Sequence, residues 1–372
     1  MAHIGRCNLH RLKNHVVRQP PDAWSHDQTA GRRAVHCECG CRLALHLLPY
    51  GRYDCARSGL NERSFGKYPP GQSGGSIPGI DGSHAYTLTR GGRDAPPILL
   101  AIPHDGQFYP DDVLQRLRKP EQRLRLEDRH VGLVADLVSA STQLSVLRAH
   151  APRAMIDLNR STKDIDWTMV SGAGATRGRA SLATYRARNG LGLVPRRISG
   201  LGEIWREPLR HEELQHRIET IYRPYHDALQ CELERLRDQH GVALLLDLHS
   251  MPPLRPARSD GPAAEFVVGD RFGATCDAAL ADSVMAHLRT KGRTVSHNRP
   301  YSGGYVLERY GQPRRGIHAI QLELCRGMYL DSRLVEPSAR LPVVARLVEG
   351  IVWSLGEELR FLGRGWSAQA AE

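Results

Sequence analysis

The 372-residue chain has no apolar run approaching the roughly 18 to 20 residues that cross a bilayer, which excludes a helical membrane protein. Aromatic residues are scarce at 6%, and no stretch alternates basic with aromatic side chains as base-stacking surfaces do. Lysine is nearly missing: five lysines stand against 46 arginines. So one-sided a choice reads as a base-composition habit of the genome before it reads as a nucleic-acid surface. Cysteine is sparse beyond residue 85, where only Cys231, Cys276 and Cys325 occur, so the main body is not a disulfide scaffold. The N-terminal MAHIGRCNLHRLKNH lacks the continuous apolar segment of a secretory signal. These absences give the expectation of a cytoplasmic, reduced protein. No internal repeat is found.

What is present is 41% hydrophobic and 24% charged residues at a mean hydropathy of −0.42, the composition of a folded soluble chain. Its length suits one large domain or two ordinary ones. The formal charge is +11, and residues 1–85 carry +5 of it in less than a quarter of the chain. That segment is rich in His, Arg, Gly and Pro, shows little periodicity and reads as a poorly ordered basic extension. Within it Cys37, Cys39 and Cys41, with His36 and His46, offer thiolate and imidazole ligands. Their Cys-x-Cys-x-Cys spacing is not that of the common zinc modules, so an adventitious cluster is the simpler account.

Beyond residue 90, short apolar runs alternate with longer amphipathic segments, the pattern of an α/β domain over 86–365 with a tail at 366–372. Strands are expected at 97–102, 143–147, 154–158, 242–248, 265–268 and 317–324. Several are apolar throughout, as in strands covered on both faces. Leu214, Ile218, Ile221, Tyr225, Leu229, Leu233 and Leu236 mark one long helix, which Pro224 should kink or interrupt. Further helices are expected at 128–140, 275–290 and 341–360. The fold class is therefore α/β, with a mixed, mostly parallel central sheet flanked by helices.

Ligand-capable residues stand at the ends of the apolar runs, where open α/β sheets place their sites. His104 follows LLAIP and precedes Asp105-Gly106; His249 follows LLLDL and precedes Ser250-Met251-Pro252. A catalytic zinc takes three protein ligands and keeps an open position. Asp128, beside Glu127, is the best third ligand, although an N-cap role would equally explain it. Asn159 and Arg160 end another run and suit capture of a carboxylate. Glu323 interrupts the last apolar run; a buried carboxylate is costly unless paired or put to use, so it is either a general base or the partner of Arg326.

The ordered set PHDG, EDR, IDLNR, YRPYH, DLHSMPP, PYSGGY and IHAIQLE resembles the N-formylglutamate amidohydrolase family across roughly residues 90–355. That family is similar to the zinc metallocarboxypeptidases and the aspartoacylase-like deacylases, whose fold the resemblance implies. It also implies one zinc ion, or another divalent metal, on His104, Asp128 and His249. Glu323 would be the catalytic base, and Asn159, Arg160 and Tyr301 would bind substrate, with Tyr301 on a loop that includes Gly303-Gly304. Asp247 and His226 would orient the groups that touch the metal. The implied reaction is hydrolysis of N-formyl or N-acyl amino acids, N-formylglutamate foremost, giving formate and glutamate in histidine breakdown.

Three positions depart from the pattern. Gln107 stands where the carboxypeptidases take their acid ligand, Asp105 stands where a small residue is common and is a rival ligand, and Tyr310 replaces an expected histidine. The partner is then a small N-acyl amino acid, with no membrane and an undetermined oligomeric state. A metallopeptidase or cell-wall amidase on the same scaffold is the alternative enzyme. Nucleic-acid binding through the arginine-rich leader is the alternative outside catalysis, and it would demand steeply salt-dependent affinity.

Overall fold

The computed structural model describes residues 72–172, 184–198, 200–256 and 262–369, with three strands at 34–36, 42–47 and 53–57. Two compact units divide at Lys67 and Tyr68. In the first, Ala34–His36, Arg42–Leu47 and Tyr53–Arg57 form a three-stranded antiparallel sheet. The Cys37, Cys39 and Cys41 cluster lies outside the described residues.

The second unit is built on an eight-stranded sheet. In chain order its strands are β1 Gln72–Gly74, β2 Tyr86–Thr89, β3 Ile98–Ile102, β4 Ser145–Ala149, β5 Ala243–Met251, β6 Phe266–Gly269, β7 Val295–His297 and β8 Ile317–Cys325. Across the sheet they run β7-β6-β8-β5-β3-β4-β2-β1. The central β8-β5-β3-β4 block is parallel, as is β6 with β7, while β6-β8, β4-β2 and β2-β1 pair antiparallel. Residues 72–85, read from sequence as part of the leader, supply edge strand β1 and the buried Ile77.

Helices cover both faces, which is why central strands β3, β5 and β8 are buried at every position and largely apolar. On one face lie α1 Val131–Thr142, α3 Ala278–Thr290 and α5 Leu341–Gln369, packed over Ile98, Leu100, Leu244, Leu246, Leu248, Ile320 and Leu322. On the other lie α2 Arg223–His240 and the short α4 Tyr305–Tyr310, over Leu99, Ala101, Ala243, Leu245, Ile317 and Ala319. Side chains alternate faces along a strand. The second row therefore continues, at the carboxyl ends, into Asp247 and His249 on β5 and Gln321 and Glu323 on β8. The parallel register sets Asp247 opposite Gln321 and His249 opposite Glu323.

Two elements differ from the sequence reading. Residues 154–158, expected as a strand, form buried turns: Met155 and Ile156 N–H bond Pro152 O, and Asp157 N–H bonds Leu193 O. Their apolar character reports burial, which a short run cannot distinguish from strand pairing. The long helix is interrupted, as Pro224 predicts, but in the turn that precedes the proline and without ending there. A π-helical turn at Ile218–Tyr222 joins the α-helix His211–Arg217 to α2, and the widened turn accommodates the proline's missing N–H.

Candidate metal and catalytic site

Three ligand-capable side chains from distant parts of the chain converge. His104 leaves the end of β3, Asp128 precedes α1, and His249 sits on β5; one ligand atom from each lies within 4.8 Å of the others. Asp128 is drawn in by its own backbone N–H, which bonds His104 O at 2.8 Å. Asp128 Oδ2 faces both rings, 3.4 Å from His104 Nδ1 and 3.0 Å from His249 Nδ1. Its other oxygen accepts from Ser250 Oγ at 2.9 Å, with Arg326 Nη2 at 3.4 Å.

Each ring is held from behind by a carboxylate. His104 Nε2 bonds Asp157 Oδ1 and His249 Nε2 bonds Asp247 Oδ2, both at 2.8 Å. Those bonds hold a proton on each Nε2 and turn Nδ1 of each ring toward the centre, where it would offer its lone pair to a bound metal, the arrangement typical of metal-binding histidines. His104 Nδ1 is buried with no hydrogen-bond partner. An imidazole nitrogen left bare in the interior, beside a second imidazole nitrogen that meets a shared carboxylate oxygen at 3.0 Å, fits a divalent metal of the zinc type.

The rival acids are committed elsewhere. Asp105 accepts from Arg148 Nε at 2.7 Å and from Gly132 N at 2.9 Å, and Glu127 pairs with Arg129 at 3.0 Å. Gln107 is exposed. Asp157 escaped the sequence reading because it lay inside a segment taken for a strand. Burial opposes its charge, but Arg153, His104 and Arg160 hold its carboxyl well below the usual range. Arg153 was likewise not singled out. Its Nε donates to Asp157 Oδ2 at 2.9 Å, and its charge acts on both Asp128 and Glu323. Only its position four residues before Asp157 could have signalled it.

Glu323 does not pair with Arg326, which turns to Ser250 and the carbonyls of Leu124 and Glu127. Instead Glu323 Oε1 accepts from Gln321 Nε2 at 2.7 Å. Burial pushes its carboxyl up to about 7, near the value that lets one group take and return a proton at neutral pH. Tyr301 lies close enough to feel the Glu323 charge, and burial raises its phenol. The Gly303-Gly304 pair is pinned: Gly304 N–H bonds Gln321 Oε1 at 3.0 Å, and Gly303 takes a φ of +109°.

The remaining expected residues behave unequally. Asp247 supports His249 as expected. Arg160 spends Nε on Leu191 O and Nη1 on Asn159 O, while Asn159 is buried and bonded within the protein. His226 is remote from the ligand set in bonding: its Nδ1 meets Tyr310 OH at 2.9 Å, among the rings of Tyr222, Tyr225 and Tyr305. Tyr310, the unexpected residue in the sequence pattern, is thus the partner of His226.

Residues 96–330 match the family model described as N-formylglutamate amidohydrolase. The N-formylglutamate deformylase of Pseudomonas putida is 34% identical over 239 residues, 63% of this chain and 82% of that protein. The N-formylglutamate deformylase of Pseudomonas aeruginosa is 31% identical over 276 residues, 73% of this chain and 96% of that protein. The crystal structure of N-formylglutamate amidohydrolase from Ralstonia eutropha is similar, with 32% identity and a TM-score of 0.66 over 74% of this chain and 98% of that one.

Proposed function

Because this chain belongs to the N-formylglutamate amidohydrolase family, we propose that it hydrolyses the amide bond of N-formylglutamate to formate and glutamate, with one zinc ion held by His104, Asp128 and His249. The observation that carries this reading is the convergence of three ligands, each backed by a second polar group, beside a buried carboxyl raised to about 7. Bound there, zinc would supply Lewis acidity toward the acyl oxygen and toward the attacking water.

The residues of the chain account for the rest. Glu323 takes a proton from the water as its oxygen adds to the formyl carbon, and returns that proton to the nitrogen as the C–N bond breaks. Arg160, Tyr301 and Arg153 supply positive charge and a hydroxyl for the substrate's carboxylates and acyl oxygen. The ligand set and base are almost sealed: His104 and Asp128 are 2% exposed, His249 4% and Glu323 7%. Such closure favours a small acyl amino acid over the peptide that a peptidase or cell-wall amidase would admit. Hydrolysis of N-formylglutamate would place the protein in histidine breakdown, and the free thiols of Cys231, Cys276 and Cys325 are what a reducing cytoplasm would leave.

The test is metal analysis of the purified protein joined to an assay over a panel of N-formyl and N-acyl amino acids. Near-stoichiometric zinc and fastest turnover of N-formylglutamate are expected. A folded protein that takes up no zinc and hydrolyses none of the panel contradicts the reading.

A further inference from the structure

In the sequence, Asn159 stands beside Arg160 as a substrate ligand. In the fold its side chain is 4% exposed, and its polar atoms are bonded within the protein. Nδ2 donates to Asp247 Oδ2 at 3.2 Å, and Oδ1 accepts the Val306 N–H at the start of α4 at 2.9 Å. Nδ2 also lies 3.2 Å from His249 Nε2. That ring nitrogen needs its own proton to bond Asp247, so Asp247 Oδ2 is the acceptor for both neighbours. Gly304 packs directly on the amide, where an added Cβ would stand 2.2 Å from Asn159 Oδ1. Gly304 is in turn bonded to Gln321, and Gln321 to Glu323.

A buried chain of polar groups therefore runs from His249 through Asp247 and Asn159 to the backbone at 304–306, and on through Gln321 to Glu323. We infer that Asn159 is a positioning residue: it fixes the orientation of His249 through Asp247 and the distance of the 301–306 loop from the base, and does not bind the substrate carboxylate. The inference rests on the function proposed above and reassigns one residue within it. Two physical points favour it. The Asn159 carbonyl oxygen is occupied by a main-chain donor that has no other partner at that helix start. Asp247 Oδ1 has no hydrogen-bond partner, so withdrawing Asn159 Nδ2 would remove one of the two donors that fix the carboxylate which keeps Nδ1 of His249 directed at the centre.

The experiment compares the parent with Asn159→Ala, and with Asn159→Leu, which keeps the branched shape but neither hydrogen bond. Zinc-loaded enzyme is assayed on N-formylglutamate, and zinc affinity is measured by chelator competition without substrate. Loss of a group that orients a metal ligand costs about 10- to 100-fold in affinity or activity. Both variants should lose about that factor in kcat and in zinc affinity, with KM within about twofold of the parent. A raised KM, with kcat and zinc affinity as in the parent, overturns the inference and returns Asn159 to the substrate. A parent that binds no zinc and turns nothing over overturns the proposed function itself, and the inference with it.

Discussion

Glu323 and His226 are both buried titratable groups, and burial moves them in opposite directions because it disfavours whichever form is charged. For Glu323 the shift is upward to about 7, so the base form is lost as pH falls through that value. A dication bound nearby draws the carboxyl down, so kcat/KM of the zinc-loaded enzyme should show its acid limb at or below about pH 7. A limb above that value contradicts the assignment. Glu323→Gln should retain zinc and lose about 10²- to 10⁴-fold in kcat, the usual share of a general base. For His226 burial lowers the imidazole from 6.5 to about 3. The folded state keeps it neutral while the unfolded chain takes up its proton below 6.5. Its contribution is thus complete above 6.5 and fades as pH falls toward 3, by ~1.4 kcal/mol per pH unit. In urea unfolding, the stability gap between the parent and His226→Gln should narrow from pH 6.5 to 4.5. A gap that holds constant would show that His226 does not titrate this way.

Among the elements, β5 and β8 carry most of the site. Their parallel register sets Asp247, His249, Gln321 and Glu323 side by side on one face. The loop before α4 completes it, and glycine at 304 is required because the backbone passes against Asn159. In Gly304→Ala the added methyl meets a buried, bonded oxygen, so either the loop or the amide must move. The expected outcome is a loss of about 1–3 kcal/mol, the usual cost of overpacking, together with slower turnover. Wild-type stability and rate would show that the loop yields freely. Strands β3, β5, β6 and β8 were legible from sequence because strands covered on both faces read as nearly continuous apolar runs. The 154–158 segment misled for the same reason, being apolar through burial in turns. Edge strand β1 carries no such run and passed for leader.

At the scale of the whole molecule, the division at Lys67 and Tyr68 separates two truncations. Removing residues 1–67 should leave the melting temperature and turnover of 68–372 unchanged. Removing 1–85 also takes β1 and Ile77, whose burial alone contributes about 1.5–3 kcal/mol, and should lower the melting temperature by several degrees. Equal melting of the two truncations would place β1 outside the stable body. The +11 charge belongs to this scale too. The +6 carried beyond residue 85 surrounds a site proposed for an anionic metabolite, and acts on it diffusely and under salt screening. Composition, run length and the order of motifs by themselves determined the α/β class, the family resemblance and the candidates His104, Asp128, His249 and Glu323, because strand burial and strand-end chemistry are written in consecutive residues. Only the tertiary structure decided that Asp105 answers Arg148, that Glu323 is free of Arg326, that Asp157 supports His104 and that Asn159 faces inward. Each of those outcomes depends on side chains distant in sequence meeting at hydrogen-bonding distance, and no local pattern encodes such a meeting.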